Sequence, residues 1–139
     1  MEANESHRMD NSKLLELIQE WKASGESPIA YNKVIRELYD GNSFLVVETK
    51  NTPEEMRHYD LTKDDVRHYM PYYTVNGQKY FAAFTKMELF EKFMEGKPGF
   101  ALTMPAYLLL ETVDKTTLGG VIIDTNTKSL FVAYRRTDT

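Results

Sequence analysis

The dipeptide Asn76-Gly77 sits inside YMPYYTVNGQKYFAAFT, residues 69 to 85, and constrains this chain more than any other local signal. Both positions of a tight two-residue turn need positive φ, which asparagine and glycine tolerate. The turn fixes a register: Val75 faces Gln78, Thr74 faces Lys79, Tyr73 faces Tyr80 and Tyr72 faces Phe81. Aromatic side chains therefore pair across the strands, each pair contributing about 0.2–1 kcal/mol. Tyr73, Tyr80 and Phe84 share one face, and Tyr72, Phe81 and Ala83 share the other. Both faces are apolar, so the hairpin is expected to be covered on both sides, or to leave an aromatic patch on one.

The rest of the chain alternates two periodicities. Leu14, Leu15, Ile18 and Trp21 recur at helical spacing, with Asn11 or Ser12 as cap and Ala23-Ser24-Gly25 as terminator. Trp21 reads as the anchor of that helix on the core. Ser27-Pro28 starts a second helix, with Tyr31, Val34, Ile35 and Leu38 as its stripe and Gly41 as a left-handed closer. Phe44 to Thr49 (FLVVET) is a buried strand. Residues 50–65 form a polar, mostly acidic loop in which Thr52-Pro53-Glu54-Glu55 can start one helical turn. After the hairpin, Thr85-Lys86-Met87-Glu88 has the form of a capping box, stapled by Phe84 and Leu89. A strand FALTM, a helix from Pro105 and a second hairpin, GVIID and SLFVAYRR, complete the order.

Helices between strands imply crossovers joining parallel neighbours, and hairpins add antiparallel pairs. The expected fold is α+β (α/β mixed): a single domain over residues 11–139, with a mixed β-sheet of about six strands, two hairpins and about four helices packed on it. Residues 1–10 lack periodicity and read as a disordered N-terminal arm.

Composition narrows the chemistry. The chain has 139 residues, no cysteine and a net charge of −4. Disulfides, thiolate zinc sites and cysteine nucleophiles are excluded. The acidic balance disfavours nucleic acid, since little counterion release is gained on a phosphate backbone. No apolar run reaches the roughly 20 residues of a membrane span, and the polar N-terminus lacks a signal-peptide core, so the expected location is cytoplasmic, with no membrane partner.

His7, His58 and His68 match no metal motif, even with Asp60 and Asp64 nearby, and no metal is expected. Glu54-Glu55 and Asp64-Asp65 are adjacent acids that point apart instead of converging. No G-x-S-x-G elbow occurs, and Gly119-Gly120 precedes a strand instead of a phosphate-cradling helix. No cofactor and no enzymatic activity are expected, the alternative being an enzyme whose Asp, Glu, His and Tyr residues are dispersed along the chain and meet only in space. Asp124 ends a strand, where α/β folds often place functional groups, although a turn-forming aspartate explains it as simply.

Two stretches, KYFAAFTKMELFEKF and GGVIIDTNTKSLFVAY, together resemble the SseB protein N-terminal domain family across roughly residues 28 to 134. The family often carries Asn-Pro after the Gly-led strand; here the turn is Asp124-Thr125-Asn126-Thr127. The resemblance implies a bacterial cytoplasmic α/β module without an established catalytic activity, and it transfers no catalytic residue.

The residues and the resemblance lead to one expectation and one rival. The first is a non-enzymatic module with a protein–protein interaction or regulatory role, its contact face built from Tyr72, Tyr73, Tyr80 and Phe81, since tyrosine is favoured at interface anchors. The acidic loop 50–65 would steer a basic partner, and an exposed hairpin edge would favour a homodimer. The rival is a small-ligand-binding domain with a pocket between sheet and helices near Tyr107 and Asp124.

Overall fold

A computed structural model describes residues 11–58 and 70–136. The expected arm at 1–10 and the candidates His7, Asp60, Asp64, Asp65 and His68 lie outside the described residues. Helices α1 (Ser12–Ala23) and α2 (Pro28–Asp40) come first, followed by strand β1 (Phe44–Thr49) and a single turn α3 (Pro53–Met56). The first hairpin is β2 (Tyr73–Val75) and β3 (Gln78–Phe84), and it leads into α4 (Met87–Phe93). Then come β4 (Phe100–Pro105), α5 (Ala106–Asp114), β5 (Gly120–Ile123) and β6 (Phe131–Tyr134).

One mixed six-stranded sheet runs β4-β1-β3-β5-β6, with β2 paired to β3. Leu45, Val46 and Val47 are all fully buried, so β1 has an apolar side chain on both faces. Such a strand is stable only in a sheet interior covered on both sides, and β1 lies between β3 and β4, antiparallel to each. That position corrects one expectation. The strands joined by α4 and by α5 do run parallel, but they are not neighbours: β1 separates β3 from β4, and β1 and β3 separate β4 from β5. The parallel neighbours are β3 and β5.

Two cores result. Leu14, Ile18, Val34, Leu38, Phe81, Leu109 and Phe131 belong to the main one, between the sheet and α1, α2 and α5. On the opposite face α4 sets Phe90 and Met94 against Val46 and Phe84. The ring of Phe84 lies 5.1 Å from that of Phe93.

The local signals met different fates. Asn76 (φ 51°) and Gly77 (φ 83°) take the positive φ of the predicted turn, and Tyr73 pairs with Tyr80 as expected. Ser27 Oγ accepts the Ala30 amide, and Thr52 with Glu55 forms a complete capping box. Gly41 closes α2 at φ −88° and so is not left-handed. A Cβ there would lie 2.6 Å from the Glu37 carbonyl oxygen, so the glycine gives the chain room to pass its own helix.

The predicted box at Thr85 does not form. Lys86 is the N-cap of α4 and makes no side-chain cap bond. Thr85 is committed elsewhere: its amide donates to Asp124 Oδ1 at 2.8 Å and its hydroxyl to Asp124 Oδ2 at 2.7 Å. Ser129 Oγ donates to the same Oδ2 at 2.6 Å. Asn11 is the N-cap of α1 as expected, but its side chain makes no cap bond. It donates to the carbonyls of Phe44 and Thr85, each at 2.8 Å, and accepts the Phe44 amide. A buried polar chain thus runs from the start of α1 through the ends of β1 and β3 to the β5–β6 turn.

Removing the carboxyl of Asp124 would orphan two buried donors of Thr85, each costing about 1–3 kcal/mol. Asp124→Ala is therefore expected to lose roughly 3 kcal/mol of stability. Asp124→Asn should lose less, because the hydroxyls of Thr85 and Ser129 can turn to suit an amide. Urea midpoints at constant m-value measure both. Gly120 sits at φ +150°, and a Cβ would fall 2.2 Å from the Ala133 carbonyl oxygen. Gly120→Ala should destabilise more than the roughly 1 kcal/mol typical of a single change.

Candidate interaction surface

The hairpin aromatics do not act as one group. Phe81 is fully buried in the main core and cannot contribute to a contact face. Its strand alternation, with Ala83, sends it toward α1, α2 and α5. Tyr73 is half-buried: its hydroxyl donates to Glu48 and its ring meets Phe93 edge-on at 5.7 Å. The Glu48 contact follows from topology, because β1 and β2 both pair with the same side of β3, one after the other, and Tyr73 begins where β1 ends. Tyr80 is half-buried, with its ring 3.0 Å from where a Cβ on Gly119 would be. Tyr72 is 44% exposed, with the Lys79 ammonium 4.9 Å from its ring centre.

The pair named for a ligand pocket also separates in character. Asp124 is fully buried at φ 54°, its carboxyl occupied by Thr85 and Ser129. Tyr107 is exposed on α5. The turn after Asp124 does line a groove of about 540 Å³, where Thr125, Asn126 and Thr127 face Leu89, Lys92, Phe93 and Lys97 of the α4 region. The Lys97 ammonium stands 4.2 Å over the Phe93 ring, covering apolar surface.

A second groove, of about 560 Å³, lies along β6. Trp21, Lys22, Glu26, Pro28, Tyr31, Leu130, Phe131, Val132 and Tyr134 line it. Its floor is aromatic: Trp21 meets Phe131 edge-on at 4.9 Å, and Tyr31 stacks on Phe131 at 5.2 Å. Tyr31 also meets Tyr134 at 6.5 Å, and its hydroxyl oxygen accepts the Tyr134 amide at 3.0 Å. Trp21 does anchor α1 on the core as expected, and it borders this groove as well. Tyr134 is 58% exposed.

The groove continues onto a part of the sheet that no described helix covers. Register places Tyr80, Gly120 and Tyr134 in one row and Ala82, Ile122 and Val132 in the next, on the face that carries α4. The packing of α4 is against Val46, Phe84 and Ala82. Ile122 and Val132 are half-buried. Sequence reading passed over Tyr31, Leu130, Val132 and Tyr134 as contact residues. The available signal was SLFVAYRR as the last strand of the chain, with apolar residues at both alternations.

Among the described residues no group of three His, Cys, Asp or Glu side chains could hold a metal ion, and no helix is long and apolar enough to cross a membrane. At the other end of β6 the chain is tied down. Arg136 donates to Asp114 through its amide (2.9 Å) and Nε (3.1 Å), and its guanidinium lies 3.7 Å over the Tyr39 ring. The Tyr39 hydroxyl donates to the same carboxylate at 2.6 Å.

Burial raises the phenol pKa of Tyr31, Tyr39 and Tyr73, and the carboxylates of Asp114 and Glu48 raise Tyr39 and Tyr73 further. An unfolded tyrosine ionises near pH 10. With the folded values above the unfolded ones, the stability tied to these phenols is complete below about pH 10 and is lost as pH rises toward the folded values. Thermal midpoints should therefore fall beyond about pH 10, and less steeply in a Tyr39→Phe/Tyr73→Phe variant.

The SseB protein N-terminal domain model matches residues 14–133, most of the chain. No curated protein and no solved structure matches. With a single mixed α+β domain spanning the matched residues, the chain belongs to the SseB protein N-terminal domain family.

Proposed function

We propose that this SseB-like domain is a non-enzymatic protein-interaction or regulatory module. One observation carries the reading. The aromatic groove along β6 and the half-open row of Ile122 and Val132 meet at Tyr134, so apolar surface continues from one sheet face around an edge. Contiguous apolar surface bordered by charge is typical of contact sites. Tyrosine and tryptophan supply large rigid contact area. On this reading the contact face shifts from the hairpin to β6, with Tyr80 at its margin and Tyr72 beyond it. The expected bacterial setting comes from the resemblance, the cytoplasmic one from the resemblance and from the polar N-terminus, and both stay part of the proposal.

A second reading has one observation behind it. The groove between α4 and residues 125–127 combines apolar walls, Leu89 and Phe93, with the ammonium groups of Lys92 and Lys97. That suits a small anionic ligand in place of a protein. Thermal shift against carboxylates and phosphates tests it, because a ligand at a hundred times its Kd stabilises by about 2.7 kcal/mol.

The test of the main reading is affinity capture from lysate with wild type and a Leu130→Asp/Tyr134→Ala variant. Both positions are exposed, so the variant should keep its thermal midpoint within a few degrees. A partner bound by wild type and lost by the variant is the expected result. A partner retained by that variant and lost by Tyr72→Ala would return the contact face to the hairpin. Phe81→Ala is a folding control and should cost about 3–5 kcal/mol.

A further inference from the structure

We infer that the outer edge of β6 accepts an extended, acid-flanked segment of another protein as an added strand. The inference rests on the interaction-module reading and specifies its partner. Among the described residues β6 ends the sheet order, with no strand on its outer side. The Arg135 amide donates inward to the Gly119 carbonyl at 2.9 Å, whereas the Tyr134 amide donates to the Tyr31 hydroxyl. Amide directions alternate along an antiparallel strand. Phe131 and Ala133 therefore face β5, and Val132 presents both its N–H and its C=O to the outside.

An unpaired edge with apolar residues is a template for another strand. Native edges are commonly blunted by proline, a bulge or an inward charge, and residues 131 to 134, FVAY, contain neither proline nor charge. The edge is partly occupied already: the phenol oxygen of Tyr31 takes the place of a partner carbonyl on Tyr134. Tyr31 also keeps a hydroxyl proton with no acceptor among the described residues, available to a carbonyl of the incoming strand. A side chain from that strand would rest between Trp21 and Tyr31.

Charge selects the occupant. Lys22 and Lys128 meet at one end of the strand, where the Lys22 ammonium donates to the Lys128 carbonyl. Arg135 and Arg136 stand at the other end. Against them are Glu26 and Asp114, and Asp114 is already shared with Arg136. This edge is thus basic at both ends in a chain of net charge −4. A second copy pairing antiparallel through β6 would set Lys128 near the partner's arginines, and opposed like charges destabilise strand pairs. An apolar strand with acidic ends would meet opposite charge at both.

The probe is a fluorescein-labelled peptide alternating valine and phenylalanine with two aspartates at each end; its counterpart carries lysines instead. Anisotropy reads binding, and fluorescence of Trp21, the only tryptophan, reads occupancy of the groove. Wild type should bind the acidic peptide at least tenfold more tightly than the basic one, with a change in Trp21 emission. Val132→Pro removes the outward amide at an edge position that tolerates proline. It should weaken binding at least tenfold while circular dichroism stays native. A Leu130→Asp/Tyr134→Ala variant should also lose the peptide. Equal binding by Val132→Pro, equal binding of the basic peptide, or no binding of either would overturn strand addition. Sedimentation of wild type alone as a dimer that Val132→Pro disperses would overturn it in favour of a second copy. In the first three cases lysate capture that still depends on Leu130 and Tyr134 would leave the module reading standing, which separates the two failures.

Discussion

The carboxyl of Asp124 ties the end of β3 to the turn between β5 and β6. It accepts the amide and hydroxyl of Thr85 at the end of β3 and the hydroxyl of Ser129 before β6. Thr85 in turn gives its carbonyl to Asn11, which also holds the backbone of Phe44. In a fully buried site each of these groups would be costly without a partner. The positive φ of Asp124 is tolerated because aspartate visits that region more readily than most residues and the surrounding bonds overdetermine it. The same bonds fix where β5 stops and how the chain turns into β6, and the position of the β6 edge depends on them.

A sheet of this order has an asymmetric exterior. α1, α2 and α5 cover one face, while α4 is packed over the β1 and β3 side of the other. Among the described residues α4, 7 residues long, is the helix packed on that face, and it does not span the six-stranded sheet. The portion that α4 does not reach falls toward β5 and β6, where Ile122 and Val132 are half-buried and Tyr134 is exposed. α1 and α2 also bring Trp21 and Tyr31 onto Phe131 at the same edge. Apolar surface at this corner is therefore a consequence of which strands α4 reaches, and the proposed contact with another protein makes use of it.

Much of the architecture was legible because its signals are local. Asn76-Gly77 set the hairpin register, Ser27-Pro28 and Thr52-Pro53 set helix starts, and FLVVET announced a strand buried on both faces. Local reading failed where a distant side chain competed for the same group. Thr85 has the sequence of a capping box, but Asp124, 39 residues away, takes both its donors. Asn11 likewise keeps the N-cap position of α1 while its side chain serves Phe44 and Thr85 in place of its own helix. Tyr73 was correctly set opposite Tyr80, and Phe81 and Phe84 fall on opposite faces as read, but the pairing stops at Tyr73 and does not bring Tyr72 onto Phe81. Which face would be core depended on where α1 and α2 pack.

The amino-acid sequence by itself determined the elements, their order, the mixed sheet and the SseB likeness, because turn chemistry, capping and periodicity act within a few residues. Tertiary structure alone decided that β1 enters between β3 and β4, that Phe81 is core, and that β6 is the edge beside Trp21 and Tyr31. Those outcomes depend on contacts between residues far apart in the chain, such as Tyr31 with Tyr134 across 103 positions. No local pattern encodes such a contact, since it exists only once both faces of the sheet have been assigned their helices.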